Sequence, residues 1–151
     1  MLQVALYEPE IPPNTGNIMR LCAATEARLH LIGRLGFHLD DRSLRRAGLD
    51  FLDAVDYQRH VTLADFERVI AGSRLFCFSA RAQRLYTSIT YREGDCLLFG
   101  GESNGLPEEV LERHAENALL IPMSGSQVRS LNLATAAGIA LYEALRQIQR
   151  W

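Results

Sequence analysis

Short apolar runs alternate with segments of helical periodicity along most of the chain. Apolar runs typical of buried strands cover residues 2–7, 28–32, 75–79, 95–99 and 118–121. Segments typical of helices cover residues 16–27, 41–47, 63–71, 107–114 and 131–148. This alternation predicts an α/β fold, a parallel sheet with helices on both faces. Residues 81–92 have the least clear pattern, which predicts a surface loop.

Length and composition are those of an ordinary globular chain. The 151 residues, 48% hydrophobic and 23% charged, predict one domain spanning residues 1–151. No apolar run approaches the roughly 18 residues of a membrane span. No basic segment precedes the first apolar run, as it would in a signal peptide. We therefore expect a cytoplasmic protein without a membrane partner.

Neither the cysteines nor the histidines have the spacing of a metal site. Cys22, Cys77 and Cys96 lie among apolar neighbours, which predicts reduced core residues. The four histidines contain no H-x-x-x-H pair. We therefore expect no metal site.

The charges give a mixed indication about nucleic acids. A net charge of −2 is less basic than is usual for dedicated nucleic-acid proteins. All 16 cationic residues are arginines, whose planar guanidinium suits phosphate, although a GC-rich genome is the simpler reason for the missing lysines. Arg42, Arg45 and Arg46 share one helical face. That face is either solvated or a contact for a phosphate backbone.

Candidate chemistry lies in three loops that follow predicted strands. In parallel sheets, ligands bind beyond the carboxyl ends of the strands, and the segments there read EPEIPPNTGNIMR, GGESNGLPEE and MSGSQVRSLN. The middle loop has neither glycine-rich phosphate-binding motif, and its three glutamates would repel phosphate. It is therefore either a plain strand–loop–helix junction or a site for a neutral or cationic ligand.

The middle loop also matches the nucleophile elbow of serine hydrolases, since G-E-S-N-G surrounds Ser103. A catalytic triad also needs a later histidine, and His114 is the only one. The acids between Ser103 and His114 fall on the same predicted helix as the histidine, so the three groups cannot easily converge. A serine hydrolase is a distant alternative.

Two predicted helices carry polar candidates near their starts. Arg20 lies one turn into the first helix and off its apolar face, so it is either solvated or directed at the sheet's open end or a neighbour. Ser130 or Asn132 can cap the last helix. The small residues between positions 134 and 140 allow that helix to pack closely on other backbone.

Taken together, the three loops resemble a known family. The segments NTGNIMRLCAAT, LLFGGESNGLP and IPM…RSLNLATAAGIALYEALRQ are similar, in order and spacing, to the three motifs of the SPOUT methyltransferases. They look most like the TrmH-like branch, which methylates ribose 2′-hydroxyls of RNA. The short chain and its opening LYEPEIPPNTGNIMRLC resemble the TrmL group, which acts on the wobble cytidine or uridine of tRNA.

The resemblance implies a SPOUT fold with a C-terminal trefoil knot and S-adenosylmethionine as the methyl donor. The positions that match the family's donor-binding residues are Phe78, Gly100, Ile121 and Ser130. The positions that match its catalytic region are Asn14, Arg20, Glu102 and Asn132. Two features depart from the family pattern: Glu26 stands where relatives often have glycine, and residues 124–128 have no close match.

The resemblance also implies a tRNA substrate, with leucine tRNAs as the expected ones, and a homodimer. In the family, the motif arginine of one subunit approaches the donor pocket of the other, and here that arginine is Arg20. The patch of Arg42, Arg45 and Arg46 would then help to hold the tRNA. Apolar residues that could supply the dimer contact are Ile18, Met19, Leu141 and Leu145.

The chemistry of the donor narrows what Arg20 has to do. A methyl sulfonium is already activated, so the enzyme mainly aligns it with the attacking hydroxyl. A guanidinium rarely gives up its proton. A charged Arg20 can therefore stabilise the developing alkoxide more readily than it can act as the base. Methylation of another RNA site and a non-catalytic RNA-binding module remain alternatives.

Overall fold

The computed structural model of the protein describes residues 1–39, 42 and 53–151. Its strands form one seven-stranded sheet in the order β3-β2-β1-β6-β4-β7-β5, and every neighbouring pair is parallel. The strands are β1 Gln3–Tyr7, β2 Arg28–Ile32, β3 Tyr57–His60, β4 Leu75–Phe78, β5 Arg84–Leu85, β6 Cys96–Gly100 and β7 Ala118–Leu120. The parallel α/β fold is confirmed.

Helices cover both faces of the sheet. They are α1 Pro12–Thr25, α2 Leu63–Val69, α3 Glu108–Arg113 and α4 Leu133–Gln149, with a 3₁₀ turn at Ala115–Asn117. Residues of α1 and α4 pack into one core cluster, and Phe66 of α2 and Val110 of α3 pack into another. The trefoil knot implied by the resemblance stays a prediction.

Two edge strands were missed by the hydrophobic pattern. β3 has the sequence YQRH and β5 has only Arg84 and Leu85, both exposed. The prediction of a surface loop for residues 81–92 is wrong at β5. Edge strands carry few apolar side chains because one side of the strand faces water, so backbone pairing defines them.

Helix α1 begins four residues earlier than predicted. Pro12 and Pro13 occupy its first two positions, where the missing N–H groups are not needed and the fixed φ suits a helix. The helix ends at Glu26, whose φ of 55° is left-handed, a conformation that favours glycine. Glu26 adopts this conformation at the opposite end of α1 from the loop that precedes the helix.

Helix α4 packs closely through alanines, as expected. Ala137, Ala140 and Ala144 are fully buried, whereas a Cβ added at Gly138 would meet nothing within 4 Å. The residues expected to supply the dimer contact are wrong, because they are buried in the core of the single chain. Ile18, Met19 and Leu141 are at most 1% exposed within the single chain, and Leu145 is also buried.

The structure also bears on the cysteines, on membrane-spanning helices, on metal-ligating groups and on the arginine patch. Cys22, Cys77 and Cys96 are free and buried, as predicted. Over the described ranges, no helix is both long and apolar enough to cross a bilayer. The same ranges hold no group of three or more metal-ligating side chains. Of the predicted helix at residues 41–47, the structure describes only Arg42, which is exposed, and Arg45 and Arg46 lie outside the described residues.

Candidate active site

The three loops singled out by the sequence converge on one cavity at the carboxyl ends of the central strands. β1, β6, β4 and β7 are neighbours in the sheet, so the loops that leave them meet at one edge. The cavity has a volume of about 550 Å³. The residues that line it include Ile11, Asn14, Phe78, Arg81, Gly100, Glu102, Leu106, Ile121, Arg129, Ser130 and Asn132.

All four residues expected to bind the donor line this cavity. Phe78 stacks on Phe99 with ring centroids 4.8 Å apart, and the pair forms an apolar part of the wall where β4 and β6 end. Ile121 follows β7, and Ser130 precedes α4. A cavity that combines apolar wall with exposed polar groups suits a small amphipathic ligand.

Gly100 is required by the close approach of two backbone segments. A Cβ at Gly100 would lie 2.0 Å from the carbonyl carbon of Gly105. The Gly105 N–H donates to the carbonyl of Gly101 at 2.9 Å, and Gly105 itself has a φ of 64°. The loop from Gly101 to Gly105 therefore folds back tightly over the end of β6, which excludes a side chain at Gly100 and favours glycine at position 105.

Three of the four expected catalytic residues form one hydrogen-bonded network. The Asn14 side-chain amide donates to Glu102 Oε2 at 3.2 Å, and Asn132 Nδ2 donates to Asn14 Oδ1 at 2.9 Å. Asn132 Oδ1 accepts from the backbone N–H groups of Ala134 and Thr135, so Asn132 is the cap of α4. The network thus ties the start of α1, the loop after β6 and the start of α4 to one another.

Arg20, the fourth expected catalytic residue, is exposed on α1 and is not among the residues that line the cavity. It lies six positions beyond Asn14, which is about 9 Å along a helix axis and on a different side of it. Within the single chain, the structure therefore does not bring Arg20 together with the other predicted site residues.

Two arginines also line the cavity: Arg129 belongs to the loop singled out before the last helix, whereas the pattern did not indicate Arg81. Arg81 Nη2 donates to the carbonyl of Leu106 at 2.8 Å and so joins the loop after β4 to the loop after β6. Arg129 is exposed where the chain approaches α4. Arg81 lies two residues after the predicted strand at residues 75–79, and this position near the carboxyl end of a strand was the available signal.

The serine hydrolase alternative is wrong. The Ser103 hydroxyl donates to Glu10 Oε2 at 2.6 Å. His114, the histidine that a triad would need, has its Nε2 3.5 Å from a carboxylate oxygen of Glu67 on α2. Ser103 therefore pairs with a carboxylate and not with a histidine, and His114 lies against a different carboxylate, that of Glu67.

Comparisons with known proteins agree with this geometry. The family model of the SpoU rRNA Methylase family matches residues 1–142. The chain is 45% identical over 148 residues to a tRNA (cytidine(34)-2′-O)-methyltransferase from Methylovorus glucosotrophus, covering 97% of this chain and 96% of that protein.

Two solved structures are similar over nearly the whole chain. A structure reported for the 2-OH methylation of C/U34 on tRNA has a TM-score of 0.95 and 51% identity, covering 100% of this chain and 98% of its own. An AdoMet-bound rRNA methyltransferase from Sinorhizobium meliloti has a TM-score of 0.85 and 32% identity, covering 96% of this chain but 56% of its own.

Proposed function

The chain belongs to the SpoU methylase family, and we propose that it transfers a methyl group from S-adenosylmethionine to the ribose 2′-hydroxyl of the cytidine or uridine at position 34 of tRNA. The observation that carries this proposal is the single cavity that unites the three motif loops. A tRNA substrate is favoured over ribosomal RNA because the tRNA relative matches over its full length, whereas the rRNA enzyme has much additional chain. The cytoplasmic location and the preference for leucine tRNAs are part of this proposal.

The residues around the cavity fit the proposed donor. Phe78, Phe99 and Ile121 offer apolar surface, and Arg129 and Ser130 offer polar groups at the rim. Among the residues that the structure describes, Glu102 is the only carboxylate in the lining, and it accepts hydrogen bonds from three N–H groups of its own chain. These residues would hold the donor, and that donor supplies a methyl group activated by an adjacent sulfonium.

The chain's own residues would have two kinds of task. Asn14, Glu102 and Asn132 hydrogen-bond to one another and to backbone N–H groups across three loops, so we assign them the task of fixing the cavity wall. Arg20 is the proposed catalytic residue. Its guanidinium would stabilise the negative charge that develops on the ribose oxygen as the hydroxyl proton leaves.

A homodimer with a shared site follows from the position of Arg20. The residue is exposed and outside the cavity of its own chain, so a second subunit is the simplest way to bring an Arg20 to each cavity. The dimer would also double the number of arginines available to contact tRNA. These include the patch of Arg42, Arg45 and Arg46.

The direct test uses radiolabelled donor and a tRNA transcript with cytidine at position 34. We expect label at the 2′-oxygen of that nucleotide and none in a transcript already methylated there. Label in ribosomal RNA but not in tRNA would move the proposal to another RNA site. Tight binding of RNA without donor binding by calorimetry would instead support a non-catalytic RNA-binding module.

The shared site is tested by complementation. An Arg20→Ala chain and an Asn132→Ala chain, each inactive as a homodimer, are mixed in equal amounts and allowed to exchange subunits. One working site per heterodimer should restore up to about a quarter of wild-type activity, by the statistics of two-fold pairing. A monomer in sedimentation, or a mixture that stays inactive after exchange, contradicts the shared site.

A further inference from the structure

Beside the cavity, two glutamates each accept hydrogen bonds from the segment that carries the other. The Glu102 carboxylate accepts the backbone N–H groups of Glu10 at 2.9 Å and Ile11 at 2.7 Å. In return, the Glu10 carboxylate accepts the backbone N–H of Ser103 at 3.0 Å and its hydroxyl at 2.6 Å. These four hydrogen bonds, which we term the carboxylate latch, join segments more than 90 positions apart in sequence.

The segment on the Glu10 side of the latch is held firmly on both flanks. A Cβ at Gly36 would lie 2.8 Å from the Glu10 Cα, and a Cβ at Gly101 would lie 2.5 Å from the Glu8 carbonyl oxygen. The Gly36 N–H also donates to the carbonyl of Pro9 at 3.0 Å. The latch therefore connects the loop from Gly101 to Gly105 to a segment that has little room to shift.

The Glu10 carboxylate of the latch is suited to the ionised state. The hydrogen bonds from the Ser103 side chain and backbone lower the pKa of Glu10. Hydrogen bonds to an ionised acceptor are roughly twice as strong as those between neutral groups. The reciprocal arrangement thus lets two like charges lie near each other while each is satisfied by N–H or O–H groups.

We propose that Glu10 is a positioning residue for methyl transfer, which acts through Ser103 on the wall of the donor cavity. This inference rests on the proposed function. Ser103 and Gly101 line the cavity, while Glu10 comes two residues before α1, the helix that carries Asn14 and Arg20. The latch therefore sets the donor-binding loop and the catalytic helix in a fixed relation, and losing it should impair both donor binding and turnover.

The experiment compares Glu10→Ala with Glu112→Ala, a matched control that removes an exposed carboxylate from α3. With Glu10→Ala we expect the Kd for S-adenosylmethionine, measured by calorimetry, to rise about tenfold and kcat to fall about tenfold, as the loss of charged hydrogen bonds would give. Glu112→Ala should change either value less than about twofold. An unchanged Kd in a folded Glu10→Ala protein overturns the proposal.

A double-mutant cycle separates positioning from general stability. Since Glu10 acts through Ser103, the effects of Glu10→Ala and Ser103→Ala on the donor Kd should be non-additive, with the double variant close to Glu10→Ala alone. Additive effects contradict the latch. If Glu10→Ala does not fold, Glu10→Asp keeps the charge but withdraws it from Ser103, and a wild-type Kd in that variant also contradicts it.

The latch and the proposed function fail in different ways. A wild-type protein that neither binds the donor nor methylates tRNA refutes the proposed function. A wild-type protein that does both, with a Glu10→Ala variant indistinguishable from it, refutes only the role of Glu10.

Discussion

Two networks of side-chain hydrogen bonds differ in their surroundings. One lies at the cavity and contains Asn14, Glu102 and Asn132. The other joins strands beneath α2 and contains Gln3, His30 and His60. The first has a half-buried carboxylate and an exposed asparagine, and it joins three loops. In the second, His30 and His60 are buried and lie on the adjacent strands β2 and β3. Phe66 covers both rings at centroid distances of 5.3 and 5.5 Å.

The buried chain has one arrangement of protons. Gln3 Nε2 donates to the Gly94 carbonyl at 3.0 Å, which fixes Gln3 Oε1 as the acceptor for His30 Nε2 at 2.9 Å. His30 Nδ1 then carries no proton and accepts from His60 Nε2 at 2.9 Å. Burial lowers the pKa of His30 to about 4, with further contributions from His60 and Arg28. Side-chain hydrogen bonds thus have two roles in this protein. At the solvent-accessible cavity they position loops, and in the buried chain they specify which strands pair.

The largest effect should come from breaking the cavity network at its carboxylate. Glu102→Ala leaves the N–H groups of Glu10 and Ile11 and the Asn14 amide without their acceptor. Because bonds to charged groups contribute about 1.5–3 kcal/mol each, we expect methyl transfer to fall about 1,000-fold. Activity is measured per folded molecule, with urea denaturation run in parallel, so that a loss of stability is counted separately. A variant with wild-type turnover, assayed beside Glu112→Ala, contradicts the role of the network.

Breaking the buried chain should instead affect folding. His30→Leu leaves Gln3 Oε1 and the His60 ring without partners in a buried place. We expect the free energy of unfolding to fall by about 3 kcal/mol, since each buried unsatisfied group costs about 1–3 kcal/mol. Urea denaturation measures the loss, and turnover per folded molecule should stay near wild type. A turnover defect larger than that of Glu102→Ala would contradict the division between the two networks.

The buried chain should also make stability depend on pH. The folded-state pKa of His30, about 4, is below that of an unfolded histidine, so the unfolded chain takes up the proton first. The free energy of unfolding should therefore decrease as the pH falls from about 6.5 towards about 4. Between pH 7.5 and pH 5 this amounts to about 2 kcal/mol. His30→Gln, which cannot be protonated, should lose that part of the slope, and an unchanged slope contradicts the assignment.

The smallest effect on methyl transfer is expected from a variant that keeps most of the hydrogen bonds beside the cavity. Ser103→Ala removes the hydroxyl that donates to Glu10 but keeps the backbone N–H bond. We expect methyl transfer to fall by less than about threefold, as the loss of one exposed hydrogen bond would give. The assay is initial rate with saturating tRNA. Esterase activity that disappears in this variant would restore the hydrolase alternative.

The sequence by itself determined the central elements and the location of the site. Apolar runs fixed the central strands because a parallel strand buried on both faces must be apolar throughout. The glycines and polar residues at three strand ends indicated the loops of the cavity. Asn132 was identified as a possible helix cap from its residue type and position, and the structure confirms it.

Only the tertiary structure decided which polar groups meet. Glu10 and Ser103 are 93 positions apart, and His30 and His60 are 30 apart, so no local pattern pairs them. The edge strands β3 and β5 exist because a neighbouring backbone is available, and not because of their own side chains. Hydrophobic periodicity is a property of one segment, whereas a hydrogen bond depends on two segments brought within about 3 Å of each other by the packing of the whole chain.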